Sequence, residues 1–138
     1  MSKLLSTKYS AGAFNAAMLF LRLAVGILMM KIGYEKLTHF DKVLNGPPPF
    51  INFLGIGSTM SLALVVFAEF FCSLFLILGL FTRFASIPLI ITMSVALFKV
   101  FNGDVFGNGM TPALFLTAYL VLLFVGPGKV SVDGMIGK

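Results

Sequence analysis

Residues 58–80 read STMSLALVVFAEFFCSLFLILGL, a run with Glu69 as its one charge and no proline inside it. At 1.5 Å of rise per residue, a helix of this length crosses the ~30 Å hydrocarbon layer of a bilayer. Three further apolar runs flank it. Residues 14–36 carry Arg22 and Lys31 within them, and residues 84–101 place Pro88 in the first turns and Lys99 near the end. Residues 111–125 form the shortest run, stopped by Gly126-Pro127-Gly128, where glycine suits a C-terminal cap and proline bars continuation.

The connections set the architecture. Thr82-Arg83 allows only a tight turn between the second and third runs, and Asn102 to Gly109 is a glycine-rich loop. Residues 38–57 break the helical pattern with His39, Asp41 and Lys42 and then Asn45-Gly46-Pro47-Pro48-Pro49. Each proline lacks an N–H and disfavours helical geometry in the residue before it. Residues 50–55 are too short to span and are expected to lie at the interface or cap the bundle. Short links force antiparallel neighbours. The predicted fold is therefore all-α: a polytopic membrane protein, an antiparallel four-transmembrane-helix bundle forming one domain over residues 1–138, with a short tail at 126–138. Ala24, Gly26, Ala63 and Gly79 are the small residues expected to let helices approach closely.

Composition supports this reading. Of 138 residues 59% are hydrophobic and 11% charged, with a mean hydropathy of +1.04. A soluble domain carries about 25% charged residues, so this chain has too few to cover a water-facing surface. The net charge of +5 comes from scattered Lys and Arg flanking apolar runs, which excludes a nucleic-acid-binding face. Lys3 and Lys8 ahead of an apolar stretch resemble a signal peptide, but Arg22 interrupts the run and no small-x-small cleavage site follows. Lys3, Lys8, Arg83, Lys129 and Lys138 share one side of the bundle, against Lys36, Lys42 and Lys99 on the other. The positive-inside rule then puts both termini in the cytoplasm, and the chain in a bacterial inner membrane as a multi-pass protein.

Three strings carry a family resemblance. Leu19 to Gly26 (LFLRLAVG) followed by Gly33-Tyr34-Glu35-Lys36-Leu37 has the form L-x-R-L-x-x-G and then G-x-x-K-L. Ala68-Glu69 precedes Gly79-Leu80-Phe81-Thr82-Arg83, and residues 126–133 read G-P-G-x-x-S-x-D. In this order and spacing, spanning residues 19–133, they resemble the DoxX family of small four-helix integral membrane proteins. The resemblance implies a membrane protein of a family in which some members are linked to quinone-dependent sulfur oxidation, or to thiol and oxidative-stress complexes. Direct thiol chemistry needs paired cysteines, whereas this chain has Cys72 alone.

The residues that can carry chemistry are few. A charge near the bilayer centre costs a few kcal/mol and calls for a partner or water. With helix ends flush, Arg22 and Glu69 lie ~5 Å apart in depth, which predicts a buried Arg22–Glu69 salt bridge. It reads either as a clamp fixing helix pairing or as a polar wall that binds a quinone head group or relays protons. Arg22, Gly26, Met29, Gly33 and Lys36 share one helix face, expected to turn inward. Lys31 and Glu35 can pair at i, i+4. His39, the sole histidine, is either an interfacial polar group or a proton donor at a pocket mouth. Residues 102–109 lack the ligand pattern of a calcium loop, and residues 126–129 lack P-loop spacing. One His, one Cys and scattered carboxylates make no metal or haem site. Ser131 and Asp133 are placed to cap a short turn in the tail. The phenylalanines and methionines read as packing and lipid contacts.

The sequence thus points to a DoxX-like membrane subunit of a redox-linked, quinone-associated assembly. Its expected intramembrane polar site comprises Arg22, Glu69, Lys36 and His39, with a quinone or lipid head group as ligand. No complete catalytic motif is present, so the chain is at most a subunit of a membrane oxidoreductase, and with no intrinsic cofactor it must borrow a partner's redox centre. The alternative is a non-catalytic scaffold or assembly subunit of a larger membrane complex. Expected partners are membrane lipid and either other membrane proteins or further copies of the chain in a homo-oligomer, with no nucleic acid.

Overall fold

The computed structural model describes residues 5–46 and 55–137, all helix, turn or loop. The three-proline break and residues 50–54 lie outside the described residues. Helix α1 spans Ala11–Thr38, with Ser10 Oγ accepting a hydrogen bond from the Ala13 N–H at 3.0 Å. Helix α2, Phe40–Asn45, follows directly. Helix α3 covers Ser58–Leu78, helix α4 covers Thr82–Val100 and helix α5 is Met110–Val125. A single turn, α6, Val132–Met135, closes the chain. Helices α1, α3 and α4 are each long and apolar enough to cross a membrane, and α5 is apolar but shorter. This is a polytopic helical membrane bundle.

Helix α3 is the hub. It packs against α1 on one side, the most extensive helix pair in the bundle, and against α4 on the other, while α5 packs chiefly on α4. Accordingly α3 buries a double stripe, Leu62, Val66, Glu69, Ser73 and Leu76 together with Ser61, Ala68 and Cys72. The outer faces stay apolar: Phe20, Phe84, Phe98, Leu114 and Phe124 are all exposed. That inversion of the soluble pattern is what a lipid solvent requires.

Helix ends show local chemistry that shifts two expected boundaries. Helix α3 stops at Leu78 because Gly79 turns left-handed, at φ 71°. The Gly79 N–H bonds Leu76 O at 3.1 Å and the Leu80 N–H bonds Phe75 O at 2.9 Å, the paired bonds of a Schellman stop. Helix α4 begins at Thr82, earlier than residue 84, because the Asp133 carboxylate accepts from the Phe81 and Thr82 N–H groups at 2.9 and 3.1 Å. Asp133 therefore caps a neighbouring helix. Ser131 caps the tail turn itself, accepting from the Gly134 N–H at 3.0 Å.

Two helices contain a wide π turn, Phe67–Cys72 in α3 and Ala96–Val100 in α4. Such turns insert an extra residue into the helical repeat and are frequent at functional sites. The first of them holds Glu69.

Candidate functional site

Two glycines set how α1 lies on α3. A Cβ on Gly33 would stand 2.8 Å from Glu69 C and Phe70 N, and one on Gly26 would stand 2.7 Å from Ile77 Cγ1. The helices are in backbone contact at the first of these points, the close approach that small residues permit between membrane helices. Ala63, by contrast, is exposed and plays no part in this crossing.

This register overturns the expected Arg22–Glu69 salt bridge. Glu69 lies beside Gly33, eleven residues along α1 from Arg22, or roughly 16 Å of helix. The expectation assumed flush helix ends, whereas the first turns of α1 run past the end of α3. The tail fills the space so created, with the Lys129 N–H donating to Asn15 Oδ1 at 3.0 Å. Arg22 is 1% exposed and serves the tail and the α3 terminus. Its Nη1 donates to Leu76 O at 3.3 Å and its Nη2 to Val130 O, with Asp133 close enough to act on it electrostatically. Gly79, at positive φ, leaves room for this guanidinium, which a Cβ there would strike.

Glu69 instead pairs with Lys36, Nζ to Oε1 at 2.7 Å. The carboxylate is buried and the lysine partly so. Of the four expected site residues the structure brings these two together. Arg22 sits at the far end of the crossing. His39 is exposed, its Nδ1 engaged locally with Glu35 O at 3.1 Å and Thr38 Oγ1 at 3.0 Å. The Lys31–Glu35 pair forms at 4.0 Å on an exposed face.

The surroundings of Glu69 add groups that sequence reasoning passed over. Tyr119, on α5, is fully buried and within electrostatic reach of Glu69 and Cys72. Its hydroxyl, Glu69 Oε2 and Ser73 Oγ are buried polar atoms with no hydrogen-bond partner among the described residues. An unsatisfied buried polar atom costs about 1–3 kcal/mol, so several near one carboxylate mark a place that accommodates water or a polar ligand. The signal in the sequence was a hydroxyl, one of two with Thr117, inside the apolar run 113–125. Among the described residues no three His, Cys, Asp or Glu gather to hold a metal ion. Alongside the crossing, an open groove of about 550 Å³ is lined by Ile27, Met30, Lys31, Tyr34, Phe70 and Ile77.

A small helical bundle with apolar outer faces, three of its helices long and apolar enough to cross a membrane, and a partly buried Lys36–Glu69 ion pair at the α1–α3 crossing defines a polytopic integral membrane protein. The chain belongs to the DoxX family, whose profile matches residues 17–102. It is also similar to an uncharacterized membrane protein, Rv3486, of Mycobacterium tuberculosis, with 32% identity across 86% of this chain and 80% of that protein. No solved structure matches it.

Proposed function

We propose that the chain is the membrane subunit of a quinone-linked redox assembly, with Glu69, Lys36 and Tyr119 forming its ligand-facing polar site. The observation that carries this reading is that Glu69 Oε2 and the Tyr119 hydroxyl, both buried and within electrostatic reach of each other, have no hydrogen-bond partner among the described residues. Those groups fit a head group with carbonyl oxygens, since a tyrosine hydroxyl donates and a carboxyl exchanges protons. The groove beside the α1–α3 crossing, walled by Phe70 next to Glu69, suits an isoprenoid-like tail. A quinone takes up two electrons and two protons on reduction; the electrons come from a partner's cofactor. Lys36 holds Glu69 in place and sets its charge, while Glu69 and Tyr119 hold and pass protons in a site the surrounding helices keep from bulk water. The positive charges at the termini favour a bacterial inner membrane with both termini in the cytoplasm.

Quantifying quinone that co-purifies in mild detergent tests this reading. Glu69→Gln and Tyr119→Phe are each expected to lower quinone per chain roughly tenfold, as loss of a buried hydrogen bond implies, with helix content unchanged by circular dichroism. Absence of quinone from the native protein, or equal amounts in all three, refutes it. The Gly33 contact favours a second reading, in which the ion pair only clamps a scaffold. Collapse of the bundle or of its partner complex on Glu69→Gln is the outcome that reading requires.

A further inference from the structure

A cleft of about 910 Å³ opens at the end of the bundle carrying both termini, between the start of α1, the α3–α4 turn and the tail. One part of its wall is apolar, with Phe14, Phe81 and Phe84, and another is polar, with Asn15, Arg83 and Lys129. The cations come from distant segments, and each is anchored. Arg83 Nη2 donates to Val125 O at 3.2 Å, and Gly126 leaves space for the guanidinium, since a Cβ there would stand 3.2 Å from Nε. Lys129 is tethered through its backbone to Asn15, and its ammonium has no ion-pair partner among the described residues. Asp133 also lines the cleft, but both its oxygens accept from the first N–H groups around α4. Two cations against one carboxylate leave the cleft with a net positive charge, and it adjoins Phe84, which is 77% exposed on the apolar outer surface.

Basic pockets between transmembrane helices at headgroup level recognise anionic lipids, and each nearby Lys or Arg contributes about a fivefold gain in affinity. A soluble anion has the same charge but no use for the aromatic wall that leads outward. We propose that this cleft binds the phosphate of an anionic phospholipid between Arg83 and Lys129, its acyl chain leaving along Phe84. The site is remote from Glu69, and the proposal stands whatever the fate of the quinone reading.

The test measures the thermal midpoint of the full chain in mild detergent during titration with phosphatidylglycerol, phosphatidylcholine or inorganic phosphate. A ligand that binds only the folded state raises the midpoint according to its affinity. Phosphatidylglycerol is expected to raise it, while phosphatidylcholine and millimolar phosphate leave it unchanged. Lys129→Gln should weaken the phosphatidylglycerol response about fivefold and Arg83→Gln/Lys129→Gln about 25-fold. Lys8→Gln, of equal charge at the same end but outside the cleft, should have no effect. Should Arg83→Gln unsettle the turn, Lys129→Gln decides alone, because no side-chain hydrogen bond is lost with it among the described residues. An equal response to phosphatidylcholine overturns the proposal. So does an equal response to phosphate, which would make this a soluble-anion site, or an effect of Lys8→Gln matching that of Lys129→Gln.

Discussion

Gly33→Ala is the sharpest perturbation of the helix crossing. The added methyl would lie 2.8 Å from Glu69 C and Phe70 N, whereas ordinary contacts begin at 3.4 Å. Both atoms are backbone within a helix, so no side-chain rotation relieves the clash and α1 must move away from α3. Overpacking of this kind costs about 1–3 kcal/mol. Alanine also favours helix over glycine by up to about 1 kcal/mol, which offsets part of the loss. Gly12→Ala isolates that gain: it lies in the same helix, and its methyl meets only Ser10 Oγ at 3.9 Å. The two variants, unfolded by SDS in mixed micelles and followed by circular dichroism, should differ by about 1–3 kcal/mol, with Gly33→Ala the weaker. The same displacement should disturb the 2.7 Å Lys36–Glu69 contact, since both residues flank the crossing. Equal stability of the two variants would show that the helices do not touch at Gly33, and the register drawn from it would fail.

Two further outcomes follow from named contacts. Lys36→Met strands the Glu69 carboxylate and should cost about 3–5 kcal/mol in the same assay, with most of it recovered in Lys36→Met/Glu69→Leu; a neutral single variant would show that the pair contributes nothing. Asp133→Ala removes both charge-assisted bonds to the start of α4 and should destabilise by about 1–3 kcal/mol, loosening the tail. Limited proteolysis reads that release, and an unchanged cleavage rate across residues 126–137 would exclude Asp133 as the tail's latch.

The helices were legible because a run such as 58–80 has no state cheaper than a membrane span: its backbone must bond internally wherever water is absent. Glu69 was legible as the lone charge in that run, and the inward face of α1 through its three- and four-residue spacing, which the burial of Arg22, Gly26, Met29 and Gly33 matches. The partner of Glu69 was not. Pairing depends on how far one helix slides along another, and apolar helices in lipid fit many offsets about equally well on pattern alone. Tyr119 escaped notice for a related reason, since one hydroxyl among aromatic packing residues acquires meaning only from what faces it.

Composition and run length therefore settled the solvent, the number of principal helices and the residues too polar to be idle, because those follow from transfer free energies acting along the chain. Contact between backbones at Gly33, the diversion of Arg22 to the tail and the service of Asp133 to a helix some fifty residues away arose from three-dimensional fit. Steric exclusion and hydrogen-bond geometry act between atoms that are near in space, and no local pattern records which distant atoms those will be.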